Sequence, residues 1–322
     1  MGNTGLTLLV TLGAVHARAA DEVTFVAFGD APYGLPGDEA RFKLLTDQAN
    51  ELQPAFAVHI GGIKNGHSSC ADAALLNVLG LFARFTVPLV YTPGDNEWTD
   101  CNRVLAGSFN PVERLARLRQ IFFTNGFSLG RKPLKLERQS EDPDFATFVE
   151  NAMWAIVGVQ FATVHVVGSG NYYHHHLPDR AEYIQRNAAN LAWIDRVFRR
   201  AADTGASAVV IAMHANPLFR DSGDSRLGFV DTQAAFARHA QAYGKPILLI
   251  HGDSHRYRID QPLRADPIGH SGPTLRDFTH LEVFGSPETR GVIVTVHPDR
   301  PAPFAFKPMV FPYDILPGNG RP

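Results

Sequence analysis

Cysteine is nearly absent. Cys70 and Cys101 are the only two among 322 residues. Neither belongs to a Cys-x-x-Cys pair, which argues against a zinc site built on thiolates. Beyond the N-terminal segment there is no uninterrupted apolar stretch of about 20 residues, the length a membrane-spanning helix requires. A surplus of one charge is missing as well. Thirty Lys and Arg against 32 Asp and Glu leave a net charge of -2, which argues against a nucleic-acid protein held by a broad basic surface. The small basic groups Arg199-Arg200 and Arg256-Tyr257-Arg258 read as solvated faces. No internal repeat and no low-complexity linker divides the chain. What remains is an ordinary globular composition, 45% hydrophobic. The length permits two domains, but α/β sandwiches of this size also run as one.

The N-terminus has an apolar run from Leu6 to Val15, then Ala17-Arg18-Ala19-Ala20, then Asp21-Glu22. A short apolar segment ending in a small-x-small site reads as a secretory signal over residues 1–20, although Met1–Thr4 contains no Lys or Arg. The expectation is an exported chain, periplasmic or extracellular, with residues 21–322 as one domain and a cytoplasmic location as the alternative. A disulfide between Cys70 and Cys101, which flank two predicted loops, fits an oxidising compartment.

Apolar runs and helical spacing alternate along the first third. Strands are predicted at Val23–Phe28, Ala55–Ile60 and Pro88–Thr92, with helices at 37–52 and 71–85 between them. Arg114–Phe123 reads as a helix, 130–145 as a polar loop, and 154–167 as a hairpin or two paired strands. Arg180–Ala202 carries an apolar face through Ile184, Ala188, Leu191, Trp193 or Ile194, and Phe198. Ala208–Met213 and Pro246–Ile250 follow as strands, with a helix over Thr232–Tyr243. His280–Phe284 and Gly291–Val296 read as a closing strand pair, and the Pro- and Gly-rich tail after His297 as irregular. Such alternation indicates a largely parallel sheet, whose ligands gather beyond the carboxyl ends of its strands.

Those ends are where the polar clusters stand: Phe28-Gly29-Asp30, Gly61–Gly66, Pro93-Gly94-Asp95-Asn96-Glu97-Trp98, Met213-His214-Ala215-Asn216 and His251-Gly252-Asp253-Ser254-His255. Taken singly, Asp30 and Asp95 could be turn residues and His214 a core histidine. Their order matters more than any one of them, because carboxylate and imidazole donors converging from several strands suit a hard or borderline divalent cation. Trp98 is expected to pack under its turn, and Tyr172–His176 to form a surface loop.

In that order the chain resembles the calcineurin-like metallophosphoesterases, in a divergent bacterial branch carrying His59–Gly66 and Pro93–Cys101. The resemblance extends over roughly Val23 to Val296. It implies a four-layer αββα sandwich with two mixed β-sheets flanked by helices, and hydrolysis of a small phosphoester by metal-bound hydroxide. Matched position by position, it implies metal ligands at Asp30, Asp95, His214, Asp253 and His255. It implies one or two divalent ions (Mn, Fe, Zn or Mg), with Asn96, His214 and His251 in catalytic roles and Lys64 and Asn96 on the substrate. No nucleic acid and no membrane anchor are implied, and the oligomeric state is left open.

Three positions depart from the family pattern. Pro32 stands in place of a metal-binding His, with Tyr33 next to it as a substitute phenolate. Asn96 replaces the catalytic His and cannot donate a proton as an acid. Gly62 occupies the place of the Asp that bridges two metals, so the second ion is expected to bind weakly or not at all. Two readings follow: a phosphoesterase impaired by Gly62, or a catalytically inactive binding protein on the same scaffold.

Overall fold

The computed structural model describes residues 22–173, 180–218 and 224–311. The segment read as a signal, residues 1–20, lies outside these residues, as does His174-His175-His176. Two large sheets form the centre of the molecule. The first contains β1 (Val23–Phe28), β2 (Ala57–His59) and β3 (Leu89–Tyr91), linked through α1 (Asp38–Leu52) and α2 (Asp72–Phe82). β1 pairs parallel with β2, and β2 parallel with β3. α3 (Pro111–Phe122) follows, started by Asn110, whose side chain accepts the Glu113 amide at 3.0 Å.

The second sheet begins at the short β4 (Glu137–Arg138) and the antiparallel hairpin β5 (Ala152–Ile156) and β6 (Val159–Thr163). The chain then passes through the one-turn element α4 (Gly168–Asn171) to α5 (Arg180–Asp203), β7 (Ala208–Ala212), α6 (Val230–Tyr243) and β8 (Ile247–His251). β6, β7 and β8 run parallel. β9 (Arg258–Asp260) lies at the edge, β10 (Arg264–Asp266) and β11 (Ser271–Thr274) form a separate ribbon, and β12 (Phe278–Glu282) enters between β8 and β9.

The segments read as a closing pair do not pair with each other. β12 runs parallel to β8 in the second sheet. β13 (Val292–Val296) returns to the first sheet and lies antiparallel to β1. The tail after His297 is not wholly irregular either: β14 (Phe304–Pro308) extends the first sheet beyond β13. Residues 312–322 lie outside the described part.

Each layer is held by a distinct apolar face. Phe25, Ala27, Val58 and Val90 on the first sheet meet Phe161, Val210, Leu248 and Leu281 on the second. The outer face of the first sheet, with Phe28, Ala57 and Tyr91, is covered by Phe42 and Leu45 of α1, Phe82 of α2 and Leu118 of α3. The outer face of the second, with Ala162, Val209 and Ile211, is covered by Trp193 and Ile194 of α5 and Phe236 of α6. Alternate residues of one strand therefore face opposite layers, as period-two side-chain direction requires. The order is helix, sheet, sheet, helix, the αββα sandwich expected from the sequence. No described helix is long and apolar enough to cross a membrane.

Candidate metal centre

The carboxyl ends of β1, β2, β3, β7 and β8 open onto one edge of the sandwich, and the polar clusters meet there. Asp30 leaves β1 with φ 49°, Asp253 leaves β8 with φ 71°, and His255 has φ 59°. Side chains other than glycine seldom adopt the left-handed region, and where they do the strain collects at functional sites. Three of the five expected ligands are held this way.

Asp95, His214 and Asp253 form the tightest group. Each offers one donor atom, and all of these lie within 4.8 Å of one another. His214 Nδ1 donates to the Ile60 carbonyl at 3.0 Å, which turns Nε2 toward Asp95 Oδ1 at 3.0 Å and Asp253 Oδ1 at 3.6 Å. Fixing one ring nitrogen on a carbonyl sets the tautomer and frees the other as a metal donor. The second Asp95 oxygen accepts the Ser169 hydroxyl at 2.8 Å.

A second group lies against the first. His255 Nδ1 donates to the Ser286 carbonyl at 2.7 Å, and its Nε2 faces Asp30 Oδ1 at 3.5 Å. Asp30 is fully buried, and its Oδ2 accepts the Asp253 amide at 2.9 Å. The Tyr33 hydroxyl donates to Asp30 Oδ1 at 3.1 Å, lies 3.0 Å from His255 Nε2, and accepts from Asn96 Nδ2 at 3.1 Å. Asp30 Oδ1 is 4.0 Å from His214 Nδ1, so the two groups share one wall.

The charges in this cluster are not balanced by the protein. Burial, with Asp95 and Asp30 nearby, pushes the Asp253 carboxyl up to about 7. Burial opposes a charge on His214, but Asp30, Asp95 and Asp253 outweigh it and hold the imidazole well above its usual range. Burial also opposes a charge on Asp95, but its bond to His214 keeps that carboxyl below the usual range. Asp253 and the imidazoles of His214 and His255 thus hold protons that a divalent cation would displace, and the donor set of carboxylate oxygens and imidazole nitrogens suits such a cation. Tyr33 does not supply a phenolate: burial and then Asp30 and Asp95 raise its pKa far above the phenol range, so it acts as a neutral hydroxyl.

The loops that carry these residues are cross-tied. Lys64 Nζ donates to the carbonyls of Asn65 at 2.9 Å and Asn96 at 2.6 Å, joining the loop after β2 to the loop after β3. Cys70 and Cys101 join the same two loops by a disulfide, with Cα atoms 5.7 Å apart. Beneath them Glu97 Oε1 accepts the Gly94 amide at 2.6 Å, the Tyr91 hydroxyl at 2.9 Å and the Gly62 amide at 3.2 Å. Trp98 is fully buried against Tyr172, Leu115 and Val167.

Gly62 does more than omit a carboxylate. Its φ is +68°, and a Cβ placed there would lie 2.4 Å from Asp30 Oδ1 and 2.9 Å from Asp30 Cα. The space a bridging side chain would need is taken by Asp30 itself. His251 stands apart from the cluster. Its Nδ1 bonds the Gly252 carbonyl at 2.9 Å and its Nε2 faces His280, which bonds Asp260 at 2.6 Å. Burial and His280 hold it well below the usual imidazole range, so it is a neutral ring directed toward β12 and β9.

Asp30, Asp95, His214, Asp253 and His255 are thus gathered at one place, with Asn96 at its rim and Lys64 behind it. Sequence reasoning gave Tyr33 too little weight and Glu97 no role. Ser169 was missed altogether, because it reaches the site only through the turn after β6.

No family profile matches the sequence, and no curated protein matches it. Among solved structures, the chain is similar to a dimetal phosphatase from Danio rerio, with a TM-score of 0.54 at 12% identity over 88% of this chain and 98% of the other. It is also similar to GAP50, described as the anchor in the inner membrane complex of Plasmodium, with a TM-score of 0.51 at 11% identity over 89% of this chain and 88% of that one. At these identities the likeness is one of fold alone.

Proposed function

We propose that this chain is an exported, metal-dependent phosphoester hydrolase acting on a small phosphoester. The observation that carries the reading is the pair of imidazoles His214 and His255. Each is anchored through Nδ1 to a main-chain carbonyl, and their Nε2 atoms face Asp30, Asp95 and Asp253. In this reading Asp95, His214 and Asp253 hold one divalent cation (Mn, Fe, Zn or Mg), and Asp30 with His255 face a weaker second position beside it. The bound cation supplies Lewis-acid polarisation of the phosphoryl group and acidifies a water.

The chain's own residues bind and orient the substrate. Asn96 Nδ2, already a donor to Tyr33, is placed to donate to a phosphoryl oxygen instead. Lys64 positions Asn96 by holding its carbonyl. Neither Asn96 nor the buried, neutral His251 supplies a proton to the leaving group, so esters of acidic alcohols are favoured. The Cys70–Cys101 disulfide supports an oxidising compartment.

The test is to load the purified protein with Mn or Zn, count ions per chain, and assay p-nitrophenyl phosphate and its bis ester. Loss of both metal and turnover in Asp95→Ala and His214→Ala supports the hydrolase. Turnover unaffected by Asp95→Ala refutes this site. A second reading, a non-catalytic binding protein, is favoured by Gly62, which offers no bridging ligand, and by a neighbour described as an anchor. Its signature is metal binding with no hydrolysis of either ester.

A further inference from the structure

A cavity of about 690 Å³ opens beside the cluster and shares Tyr33 and Lys64 with it. Its volume is that of a pocket for a whole small molecule rather than for a phosphoryl group alone. It runs between two helices. Ala74, Asn77, Val78 and Leu81 line it from α2 at spacings of three and four, the stripe that one helix face presents. Glu39, Ala40 and Lys43 line it from α1. Both helices start at the carboxyl edge of the sheet, next to the site, and run away from it. From Ala74 to Leu81 the α2 wall measures about 10 Å at 1.5 Å per residue.

The chemistry of the lining changes along that length. Near the site the walls include the apolar Pro32, Leu35 and Ile63, with Lys64 and Glu39 beside them. Lys43 lies one turn down α1 from Glu39, and Arg84 follows the last turn of α2 at the far end. Both side chains are exposed, and among the described residues neither has an ion-pair partner. With Lys64 they bring three cations to the lining against the single carboxylate of Glu39. Lys64 is already held by two carbonyls, so the cations left open are Lys43 and Arg84.

We propose that this groove receives the alcohol portion of the substrate, and that this portion is an elongated, largely apolar chain ending in an anionic group that pairs with Lys43 and Arg84. This rests on the phosphoesterase reading for where the phosphoryl group goes, and on the groove alone for what the rest of the substrate is. Lys43 and Arg84 are then specificity-determining residues that take no part in the reaction, and Tyr33 stands at the junction of groove and cluster.

The experiment has two arms. The first is hydrolysis by the Mn-loaded protein of 10-(phosphonooxy)decanoate, decyl phosphate and p-nitrophenyl phosphate. The expected order places the carboxylated ester above decyl phosphate in kcat/KM, with p-nitrophenyl phosphate, the ester of an acidic alcohol, as the reference that does not use the groove. In Lys43→Glu/Arg84→Glu that preference falls about tenfold, the equivalent of about 1.4 kcal/mol, through KM, while p-nitrophenyl phosphate is unaffected. Ala74→Trp fills the groove and removes the preference without touching either cation. The second arm needs no turnover: calorimetric titration of metal-free protein with 10-hydroxydecanoate. Binding is expected in the natural chain, about tenfold weaker in the charge-reversed variant and absent with Ala74→Trp. Equal kcat/KM for the two decyl esters together with no binding of the hydroxy acid overturns the groove proposal and leaves the hydrolase standing. Binding of the hydroxy acid with no hydrolysis of any ester keeps the groove and overturns the hydrolase. Binding that is indifferent to Lys43→Glu/Arg84→Glu overturns the anionic terminus.

Discussion

Replacing Gly62 by alanine isolates the feature on which the interpretation of this site turns. Two costs add. A residue with a Cβ held at φ +68° pays about 1–2 kcal/mol for the left-handed conformation. The Cβ would also lie 2.4 Å from Asp30 Oδ1 and 2.9 Å from Asp30 Cα. A side-chain oxygen can turn away, but a main-chain carbon at the root of β1 cannot, so the overpacking adds about 1–3 kcal/mol. Gly205 provides the control. Its φ is +69° and nothing lies within 4 Å of its Cβ position, so Gly205→Ala pays the conformational cost alone. Urea unfolding of both variants against the natural chain, with m unchanged, should show Gly62→Ala losing about 2–5 kcal/mol and Gly205→Ala about 1–2 kcal/mol. The difference is the steric term. Equal losses in the two variants refute the reasoning, because Gly62 would then be an ordinary turn glycine with room for a side chain. The same geometry predicts that Gly62→Asp does not regain a bridging ligand: its Cβ meets Asp30 before its carboxylate reaches the cluster.

Other perturbations test the electrostatics and the ties. The folded Asp253 carboxyl keeps its proton up to about 7, whereas the unfolded one loses it near 3.8, so the folded state binds more protons between these values and the metal-free protein loses stability as pH rises through that window. Discounted for a side chain 35% open to solvent, the loss is about 2 kcal/mol. Because buried neutral histidines such as His59 and His251 add stability over the same window, the Asp253 contribution is read as a difference: unfolding at pH 5 and pH 7.5 of the natural chain and of Asp253→Asn, with the natural chain expected to lose about 2 kcal/mol relative to the variant; excess Mn at pH 7.5 should restore the stability, and the same pH dependence in both proteins contradicts the account. Tyr33→Phe removes the hydroxyl that bonds Asp30 and Asn96. A loss of about 1–2 kcal/mol in urea is expected from the polar groups left behind, and no loss would show that the hydroxyl is not structural. Breaking the Cys70–Cys101 bond, which spans 31 residues, should cost about 3–4 kcal/mol by loop entropy, read as a lower unfolding midpoint under reductant and matched by Cys70→Ala/Cys101→Ala.

The parts of this molecule that were legible in the sequence are those set by local pattern. β1 occupies Val23–Phe28 as its apolar run requires, and α5 forms where its spacing places a helix, although its buried face is rotated from the expected one: Ile184 and Ala188 are exposed, while Tyr183, Ala189, Trp193, Ile194, Val197 and Phe198 face inward. The ligand positions could be listed because parallel strands deliver their carboxyl ends to one edge, so a polar residue after an apolar run is already half located. Sheet membership is not local. Phe278–Glu282 and Val292–Val296 are close in sequence, and nothing in either says that one joins β8 and the other crosses to β1. β14 was hidden for another reason: an edge strand among prolines lacks the continuous apolar run of a central one.

The site shows the same division between residue type and space. A lysine in a glycine-rich loop reads as exposed, yet Lys64 is buried because two carbonyls from different loops converge on it. Tyr33 is one residue beyond the position the family pattern reserves for a ligand. The positive φ at Asp30 turns the chain so that its hydroxyl, and not the side chain of Pro32, faces the cluster. At Gly62 the sequence reports only that a carboxylate is missing. The structure adds that Asp30 Oδ1 and Cα stand against the position a Cβ at 62 would take, with the second Asp30 oxygen bonded to the Asp253 amide. The bare glycine at 62 and the position of Asp30 are therefore one arrangement. To accept an acidic residue at 62, the turn after β1 and the turn after β8 would have to shift together, which is why a single substitution cannot convert this centre into a bridged one.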